Sequence, residues 1–587
     1  MTQPQKLELT WIGKDQRPRL EPRILLEDPK RSHHAATRVT EGDLFDNRLI
    51  RGDNLLALKA LEAEFTGQIK CIYIDPPFNT GAMFEHYDDG VEHSIWLGLM
   101  RDRLHILARL LHPEGVFWVP IDDKEMAYLR ILCDEVFGRP NFLNMVVVKT
   151  SDPSGHKTVN PSPYSQTEYV LMYAKNRYKY RYEQRYVASS YDSGYNRYIL
   201  NRLAPYSDWR VIGLNEHVAQ SLKFEDTRDA RKKMGRVGFD VIVAQYALEN
   251  SESVFQPTAI SNAAGRAIVD IRDQSTQQRD KIFRIERSDY EDIYVLNGRQ
   301  IYFYSSKVKE IDGERTPAKP LTNLWTDIPY NGIAREGGVE FKNGKKPERL
   351  IERCIDLSTN PGDLVLDSFA GSGTTGAVAH KMGRRWIMVE LGEHCHTHIV
   401  PRLKKVIDGQ DPGGVTQATG WQGGGGFRYY ELAPTLLSTD LWGNLVINPE
   451  YDAAMLAAAM CQLEGFTYAP SEVLWWQQGR SSERDFIYVT TQTLSAEQLA
   501  ALSDEVGTER SLLVCCGAYR GLGGGNGAAQ AAERWPNLTL KKIPKMVKDR
   551  CEWGHDDYSL NVANLPMAQK PVEALPAQDD LFGGDAP

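Results

Sequence analysis

Several features that would place this 587-residue chain in other protein classes are missing from its sequence. No uninterrupted apolar run approaches the roughly 20 residues that span a bilayer. The first six residues lack the apolar core of a signal peptide. The eight cysteines are scattered and include no C-x-x-C pair, so we expect reduced thiols rather than a disulfide framework. These absences predict a protein of the cytosol with no membrane partner.

A metal-binding cluster is not expected either. Cys395 lies among His394, His396 and His398, which at first suggests a metal site. On a helix, however, only His394 and His398 would share a face, and no second pair of ligands is evident elsewhere. We therefore predict no metal, and interpret this segment as the polar start of a helix.

An excess of positive charge is also missing, since 69 Lys and Arg stand against 78 Asp and Glu. The acidic balance argues at first against a nucleic-acid partner, because contacts to phosphate need Lys and Arg. The charge is uneven, however: residues 151–330 sum to about +3 and residues 421–587 to about −9. DNA is therefore not excluded, and we expect a local contact surface with the C-terminal third facing elsewhere.

The order of strand-like and helix-like runs predicts one α/β domain that is split by an insertion. A chain of this length should form two to four domains. Strands and helices alternate over residues 46–150 and again over 331–420, which is typical of a parallel sheet. Residues 151–330 between them are polar and turn-rich. We predict an N-terminal arm over residues 1–45, a glycine linker at 422–426, a C-terminal α/β domain over 427–565 and a flexible acidic tail over 566–587.

A glycine-rich loop follows the strand predicted at residues 364–366. Glycines let the backbone approach a ligand closely and can open a helix whose N-terminus favours polar or anionic groups. No lysine follows Gly373, which excludes a phosphate-binding P-loop. Asp367 heads the loop, and Glu390, about 20 residues later, is placed for a ribose diol. By itself this loop is compatible with either NAD or S-adenosylmethionine. Its candidate ligand-binding residues are Asp367, Phe369, Gly371, Gly373 and Thr374.

A second motif, Asp75-Pro76-Pro77-Phe78, follows the strand predicted at residues 69–74 and favours S-adenosylmethionine. An exocyclic amino nitrogen is a poor nucleophile, because its lone pair is delocalised into the ring. A carboxylate such as Asp75 and a backbone carbonyl, that of Pro76, can accept its two N–H groups and direct the lone pair at a sulfonium methyl. The two prolines keep the loop rigid, and Phe78 offers a ring on which an extruded base can stack.

Together these motifs resemble the β-class of DNA amino-methyltransferases, and most closely the modification subunits of type III restriction–modification systems. The resemblance covers residues 47–175 and 345–405. It implies a Rossmann-like methyltransferase fold of α/β class with circularly permuted motif order, an inserted target-recognition domain over residues 151–330 and a C-terminal α/β domain. It also implies that Asp75 orients the target amine, that Asp367 and the loop to Gly373 hold the methionine end of the cofactor, and that Glu390 takes the ribose. Asp53 would contact the adenine ring or line the cleft, and Lys346 occupies the family's lysine–proline position near the cofactor.

Two residues of the tetrapeptide bear on the target base. Phe78 replaces the commoner tyrosine and leaves stacking intact, while Asp75 in place of serine favours adenine N6 over cytosine N4. Methylation of cytosine N4 stays open as an alternative, as do a catalytically idle specificity subunit that serves a partner nuclease and methylation of RNA or protein.

Two basic segments are candidate DNA contacts. Residues 177–182 alternate basic and aromatic side chains, which on a strand would put cations on one face and rings on the other. A second cluster follows near residue 230, and a solvated surface is an equally good interpretation of both. The candidate contacts are Arg177, Lys179, Arg181, Arg231, Lys232 and Lys233.

The resemblance also bears on partners and location. We expect double-stranded DNA as the substrate, a homodimer and a separate restriction or helicase subunit, because the chain has no Walker A lysine motif. Residues 578–582 resemble the peptide that docks on bacterial sliding clamps. A bacterial or phage-encoded enzyme of this kind would lie in the cytoplasm with the nucleoid.

Overall fold

The computed structural model describes residues 8–17, 19–21, 23–78, 93–152, 163–288, 290–311, 313–341, 344–522 and 527–553. The chain forms two compact units. The first consists of Met1–Tyr182 together with Asn323–Pro587, and the second is Glu183–Thr322. The second unit is therefore shorter than the insertion of residues 151–330 expected from the sequence.

The N-terminal part of the first unit alternates strands and helices, because its apolar runs are short and separated by turns. Its strands are β1 (Arg19–Leu20), β2 (Leu25–Glu27), β3 (His33–His34), β4 (Asn47–Arg51), β5 (Ile69–Tyr73), β6 (Leu111–Ile121), β7 (Phe142–Lys149) and β8 (Thr167–Ala174). Its helices are α1 (Asn54–Phe65), α2 (His93–Leu110) and α3 (Met126–Cys133). The α/β pattern expected over residues 46–150 is confirmed.

The second unit contains a six-stranded antiparallel sheet, a three-stranded sheet and four helices. Its strands are β9 (Tyr186–Ala188), β10 (Arg197–Ile199), β11 (Val211–Gly213), β12 (Val254–Ala259), β13 (Ile282–Ile285), β14 (Ile293–Leu296), β15 (Arg299–Phe303), β16 (Val308–Ile311) and β17 (Glu314–Pro320). Its helices are α4 (Leu214–Ser221), α5 (Thr227–Met234), α6 (Arg236–Glu249) and α7 (Arg266–Gln277).

The first unit resumes with the cofactor-loop half of the α/β pattern and then the C-terminal region. Its next strands are β18 (Leu324–Trp325), β19 (Leu364–Asp367), β20 (Arg385–Glu390) and β21 (Gly426–Leu432), and its next helices are α8 (Glu348–Asp356), α9 (Thr374–Lys381), α10 (Val400–Ile407) and α11 (Thr416–Thr419). The C-terminal strands are β22 (Leu437–Thr439), β23 (Leu445–Ile447), β24 (Thr467–Tyr468), β25 (Gly479–Arg480), β26 (Asp485–Ser495), β27 (Ser511–Arg520), β28 (Leu538–Lys542) and β29 (Glu552–Trp553). The helices there are α12 (Ala453–Glu464), α13 (Ala496–Val506), α14 (Gly527–Arg534) and α15 (Ile543–Arg550).

One large mixed sheet dominates the first unit, with the strand order β18-β7-β8-β6-β5-β19-β20-β4-β21-β2, and β3 also pairs with β21. The six strands from β6 to β21 run parallel. Outside them, β8 pairs antiparallel with β6 and β7, β2 and β3 pair antiparallel with β21, and β18 pairs parallel with β7. The central strands are almost wholly buried, as expected for parallel strands that helices cover on both faces. This doubly covered α/β sheet confirms the predicted fold class.

Three predicted boundaries need correction. β8, within the expected insertion, pairs with β6 and β7 of the large sheet, so the insertion begins later than residue 151. Residues 1–45 are not a simple arm where they are described, because β2 and β3 pair with β21 and β1 pairs with β29. Residues 422–426 are not a free linker, because glycines 423–426 are buried and Gly426 begins a strand of the large sheet.

The C-terminal region has its own five-stranded sheet, β24-β25-β26-β27-β28, in which β26, β27 and β28 run parallel. One apolar cluster packs against each face of this sheet, with α12 and α15 on one side and α13 and α14 on the other. The α/β architecture expected for the C-terminal region is present, but the expected start at residue 427 is wrong, because Gly426–Leu432 is a strand of the large sheet. The region belongs to the first compact unit. The tail at residues 566–587 lies outside the described residues.

Candidate active site

Four parallel neighbours in the large sheet, β5, β19, β20 and β4, end at one edge of the sheet. An acidic residue ends or follows each strand: Asp75 after β5, Asp367 at the end of β19, Glu390 at the end of β20 and Asp53 after β4. The strands are in register, since Leu366 lies opposite Ile72 and Glu390 opposite Arg51. Ligands of open α/β sheets bind at the carboxyl ends of the strands. Residues almost 300 positions apart in the chain thus share one site.

The glycine-rich loop after β19 is held by Asp367. This carboxylate accepts a hydrogen bond from the Phe369 amide at 2.9 Å and one from the Thr375 hydroxyl at 2.5 Å. Gly373 has a φ of +76°, and a Cβ there would lie 2.9 Å from Cγ2 of Ile399. Only glycine satisfies both restrictions without strain. Gly373 precedes α9, which begins at Thr374, so the loop leads into a helix as predicted.

Glu390 binds the same loop from the neighbouring strand. One oxygen accepts the Gly371 amide at 2.8 Å, and the other accepts the Gly392 amide at 2.9 Å and lies 3.0 Å from Nε2 of His394. Burial raises the pKa of Glu390, but His394 and these amides outweigh burial and hold the pKa below its usual value. The carboxylate is therefore charged at neutral pH and aligned with the loop. The sequence pattern missed this role of His394.

The surroundings of Asp367 raise the pKa of its carboxyl, whereas those of Glu390 lower it. Burial raises the pKa of its carboxyl to about 7, against the hydrogen bonds from Thr375 and Phe369, and the charges of Asp75 and Glu390 raise it further. Near neutral pH this acid therefore gains or loses its proton easily. A cation placed beside it would favour the charged form.

The loop after β5 is fixed by α2. Nε1 of Trp96 donates a hydrogen bond to the Pro77 carbonyl at 2.9 Å, which holds the turn after the buried Pro76. Phe78 packs against the main apolar core while staying half-buried. The motif's continuation, Asn79 to Gly81, lies outside the described residues.

Lys346 lies beside this loop, immediately before the proline that caps α8. Its ammonium nitrogen is 3.5 Å from Oδ1 of Asp75, 3.0 Å from Oε2 of Glu168 and 4.3 Å from the centre of the Phe78 ring. Burial lowers the pKa of Lys346, but the charges of Asp75 and Glu168 outweigh burial and raise it. Lys346 is therefore charged, and it contacts the Asp75 motif directly. Glu168 was not a candidate from the sequence, because it lies on β8 in the part assigned to the insertion.

Asp53 has a structural task at the start of α1. Its carboxylate accepts the amides of Leu55 and Leu56 at 2.9 and 3.2 Å, and its other oxygen lies 3.2 Å from the buried Arg103. Such an N-cap satisfies amides that would otherwise lack partners. The next residue, Asn54, donates to the Ser368 carbonyl at 2.7 Å and so connects α1 to the glycine-rich loop.

The cleft between the two motifs suits a polar ligand. Its walls include Tyr73, Asp75, Lys346, Asp367, Phe369, Gly371 and Thr374. The Tyr73 hydroxyl in this wall is buried and has no hydrogen-bond partner among the described residues. Buried hydroxyls of this kind call for a partner, which a bound polar molecule would supply. The acids, the glycine-rich loop and the Tyr73 hydroxyl fit S-adenosylmethionine, which carries an ammonium, a carboxylate and a ribose.

The candidate DNA contacts differ in conformation from the prediction. Residues 177–182 form a turn followed by irregular chain rather than a strand, so the predicted two-faced alternation is wrong. Arg177, Lys179 and Arg181 are all exposed. In the second unit, Arg231 and Lys233 make ion pairs with Asp240 and Asp229, and Lys232 is exposed on α5.

The segment with Cys395 forms a π-helical turn, Cys395–Ile399, and His396 contacts the Tyr429 hydroxyl. Within the described ranges, no group of three or more His, Cys, Asp or Glu side chains is placed to hold a metal ion. No described helix is both long and apolar enough to cross a membrane.

The chain is similar to modification subunits of type III restriction–modification enzymes. It is 36% identical to the probable HindVI Mod subunit of Haemophilus influenzae over 447 residues, which are 69% of this chain and 56% of that protein. It is 29% identical to the EcoPI Mod subunit of Escherichia phage P1, over 63% of this chain and 60% of that one. It is 24% identical to the EcoP15I Mod subunit of Escherichia coli, over 78% of this chain and 77% of that one. This chain thus spans less than two thirds of the first two relatives.

A family model also matches the chain. The model is described as DNA methylase, and it matches residues 69–401, more than half of the chain. The matched range runs from β5 through the second unit and the glycine-rich loop to the start of α10. This chain therefore belongs to the N6_N4_Mtase family of DNA methylases.

Proposed function

We propose that this protein transfers a methyl group from S-adenosylmethionine to N6 of adenine in duplex DNA. The observation that carries the proposal is the pairing of β5 with β19, which brings the Asp75 motif beside the glycine-rich loop. An amine-orienting carboxylate and a cofactor loop at one sheet edge are the two parts that amino methylation needs. S-adenosylmethionine supplies a methyl group on a positively charged sulfur.

The residues after β5 would prepare the target amine. The Asp75 carboxylate accepts one N–H of the amine and the Pro76 carbonyl accepts the other, which directs the nitrogen lone pair into the cleft. Phe78 stacks on the base once it has left the duplex. Asp75 also stabilises the positive charge that develops on the nitrogen before a proton leaves it. The transfer is direct, without a covalent bond to the enzyme.

The residues after β19 and β20 would hold the cofactor. Asp367 would accept from the ammonium of the methionine end, the Phe369–Gly373 loop would line that end of the cleft, and Glu390 would take the ribose. Thr374 opens the helix behind the loop. Asp53, at the start of the helix α1 that it caps, would contact the adenine ring or line the cleft.

The second unit, Glu183–Thr322, would read the target sequence, with Arg231, Lys232 and Lys233 among its phosphate contacts. Further contacts to the DNA phosphates would come from the first unit, through Arg177, Lys179 and Arg181. Phosphate contacts of this kind position the protein but carry no sequence information.

The names of the relatives support a place in a restriction–modification system. Since those proteins are called subunits of type III enzymes, we infer a separate restriction subunit as partner, and a location with the DNA in the cytoplasm. A homodimer stays a prediction from the family resemblance. So does a sliding-clamp contact through residues 578–582, a segment outside the described residues.

Labelled methyl transfer to purified DNA tests the reaction. The wild-type protein should label DNA in the adenine nucleoside, and Asp75→Ala should lower the rate by at least about 100-fold because no carboxylate orients the amine. Binding of S-adenosylmethionine should persist in that variant. Label in N4-methylcytosine would favour the cytosine alternative, and label in neither base would favour the idle specificity subunit.

A further inference from the structure

Lys346 occupies the space in which the proposed reaction needs the target base. Its ammonium contacts both Asp75, at 3.5 Å, and the face of Phe78, at 4.3 Å from the ring centre. A base stacked on Phe78 would lie about 3.5–4 Å from the ring, the ordinary contact distance of carbon atoms. Its amine would lie against Asp75. The base and the ammonium therefore compete for the same two partners.

Glu168 is the partner that Lys346 can keep when a base enters. Its carboxylate lies 3.0 Å from the ammonium, nearer than Asp75 or the Phe78 ring. Glu168 is on β8, which is separated by β6 from β5, the strand that precedes Asp75. An ammonium buried without a counter-ion would be costly, so displacement from Asp75 requires a second carboxylate at hand. Tyr330 also lies near both carboxylates, and burial together with their charges raises the pKa of its phenol and keeps it neutral.

We propose that Lys346, held by Glu168, moves to the edge of the flipped base and donates a hydrogen bond to the ring nitrogen beside the reactive amine. Glu168 is then a positioning residue, which acts through Lys346. This inference rests on the proposed function. Adenine carries acceptor nitrogens at N1 and at N7, near its amino group, so both are possible partners for the ammonium. The same movement leaves the Asp75 carboxylate to the amine.

The substrate can be altered one atom at a time to test this contact. A duplex that carries the methylation site would contain adenine, 1-deazaadenine or 7-deazaadenine at the target position. The wild-type protein should methylate one of the deaza duplexes with a kcat roughly 10- to 100-fold lower than adenine, as expected for the loss of a hydrogen bond from a charged donor. The affected duplex identifies N1 or N7 as the acceptor.

Variants then assign the contact to Lys346 and Glu168. Lys346→Met should lower kcat on adenine by a similar factor and should no longer distinguish adenine from the sensitive deaza base. Glu168→Gln should also lower kcat on adenine. The double variant with Lys346→Met and Glu168→Gln should be no slower than Lys346→Met alone. Affinity of the Glu168→Gln protein for S-adenosylmethionine should stay within about twofold of wild type, because Glu168 is not among the residues that form the walls of the cleft. Glu114→Gln, which breaks an exposed 2.6 Å ion pair with Lys70 elsewhere on the sheet, should retain the wild-type kcat.

Wild-type rates that are equal on all three duplexes would overturn this inference, whatever the variants do. So would a Lys346→Met protein that still distinguishes the bases, since the hydrogen bond would then come from another group. A wild-type protein that methylates no adenine duplex would instead overturn the proposed function, and this inference with it.

Discussion

Asp75 and Asp367 are carboxylates at the ends of adjacent strands with different surroundings. Asp75 lies beside the charged Lys346, whereas Asp367 is buried between a hydroxyl and an amide near two further acids. Those surroundings suit Asp75 to orient an amine. They suit Asp367 to meet a cation, because its pKa of about 7 allows it to take on charge when a cation arrives.

Binding of S-adenosylmethionine should therefore release a proton from Asp367 slightly below pH 7. The bound ammonium favours the charged carboxylate, so the pKa falls from about 7 on binding. Calorimetric titration in two buffers of different ionisation enthalpy measures the proton. Wild type should show release and Asp367→Asn none; equal proton uptake or release in both proteins would contradict the assignment.

The same carboxyl predicts a pH-dependent stability. Its pKa is raised in the folded protein, so the folded state keeps a proton that the unfolded chain loses near pH 4. The free energy of unfolding should consequently fall as pH rises from about 4 to 7. Asp367→Asn should remove this part of the pH dependence, which urea titrations across that range would measure. A pH dependence identical to that of wild type would count against the buried neutral acid.

The elements around the site were largely predictable, because each has a strong local signal. The Ile-rich run before Asp75 and the glycines after Asp367 mark strand ends that follow from residue type alone. The contact between Lys346 and Glu168 was not predictable, since it depends on β8 joining β6 in the large sheet. The strand predicted for residues 177–182 was wrong for a related reason. An alternating sequence forms a strand only where a neighbouring strand pairs with it and one of its two faces is buried.

Glycine at position 373 should be required for the loop that leads into α9. Gly373→Ala adds a left-handed φ cost of about 1–2 kcal/mol and a contact of 2.9 Å with Ile399. Gly383→Ala is the matched control, because its φ is +71° and nothing lies within 4 Å of the added Cβ. The melting temperature should fall further for Gly373→Ala than for Gly383→Ala, and Gly373→Ala should also bind the cofactor more weakly. Equal losses would mean that Ile399 moves aside freely.

In the whole molecule, the unit Glu183–Thr322 is inserted into the chain of the unit that holds the candidate active site. The ends of that unit run side by side, since Pro320 pairs with Tyr186 and the Leu321 amide donates to the Arg185 carbonyl at 2.8 Å. Apolar clusters lie within the unit itself. The site residues from Asp53 to Glu390 all belong to the other unit.

Replacing residues 183–322 by a short Gly-Ser linker should therefore leave a protein that binds S-adenosylmethionine. It should no longer methylate DNA at a defined sequence, because the unit proposed to read the target is gone. Cofactor titration and sequencing of treated DNA measure the two properties. Site-specific methylation by the shortened protein would contradict the proposed role of the second unit.

The central claim is that the Asp75 motif and the glycine-rich loop form one active site for methylating adenine N6 in DNA. Its most direct test is modified-base sequencing of DNA from cells that express the wild-type chain or Asp75→Ala. We expect N6-methyladenine at one recurrent sequence with the wild-type chain and its absence with the variant. A mark that persists in Asp75→Ala, or an N4-methylcytosine mark in its place, would contradict it.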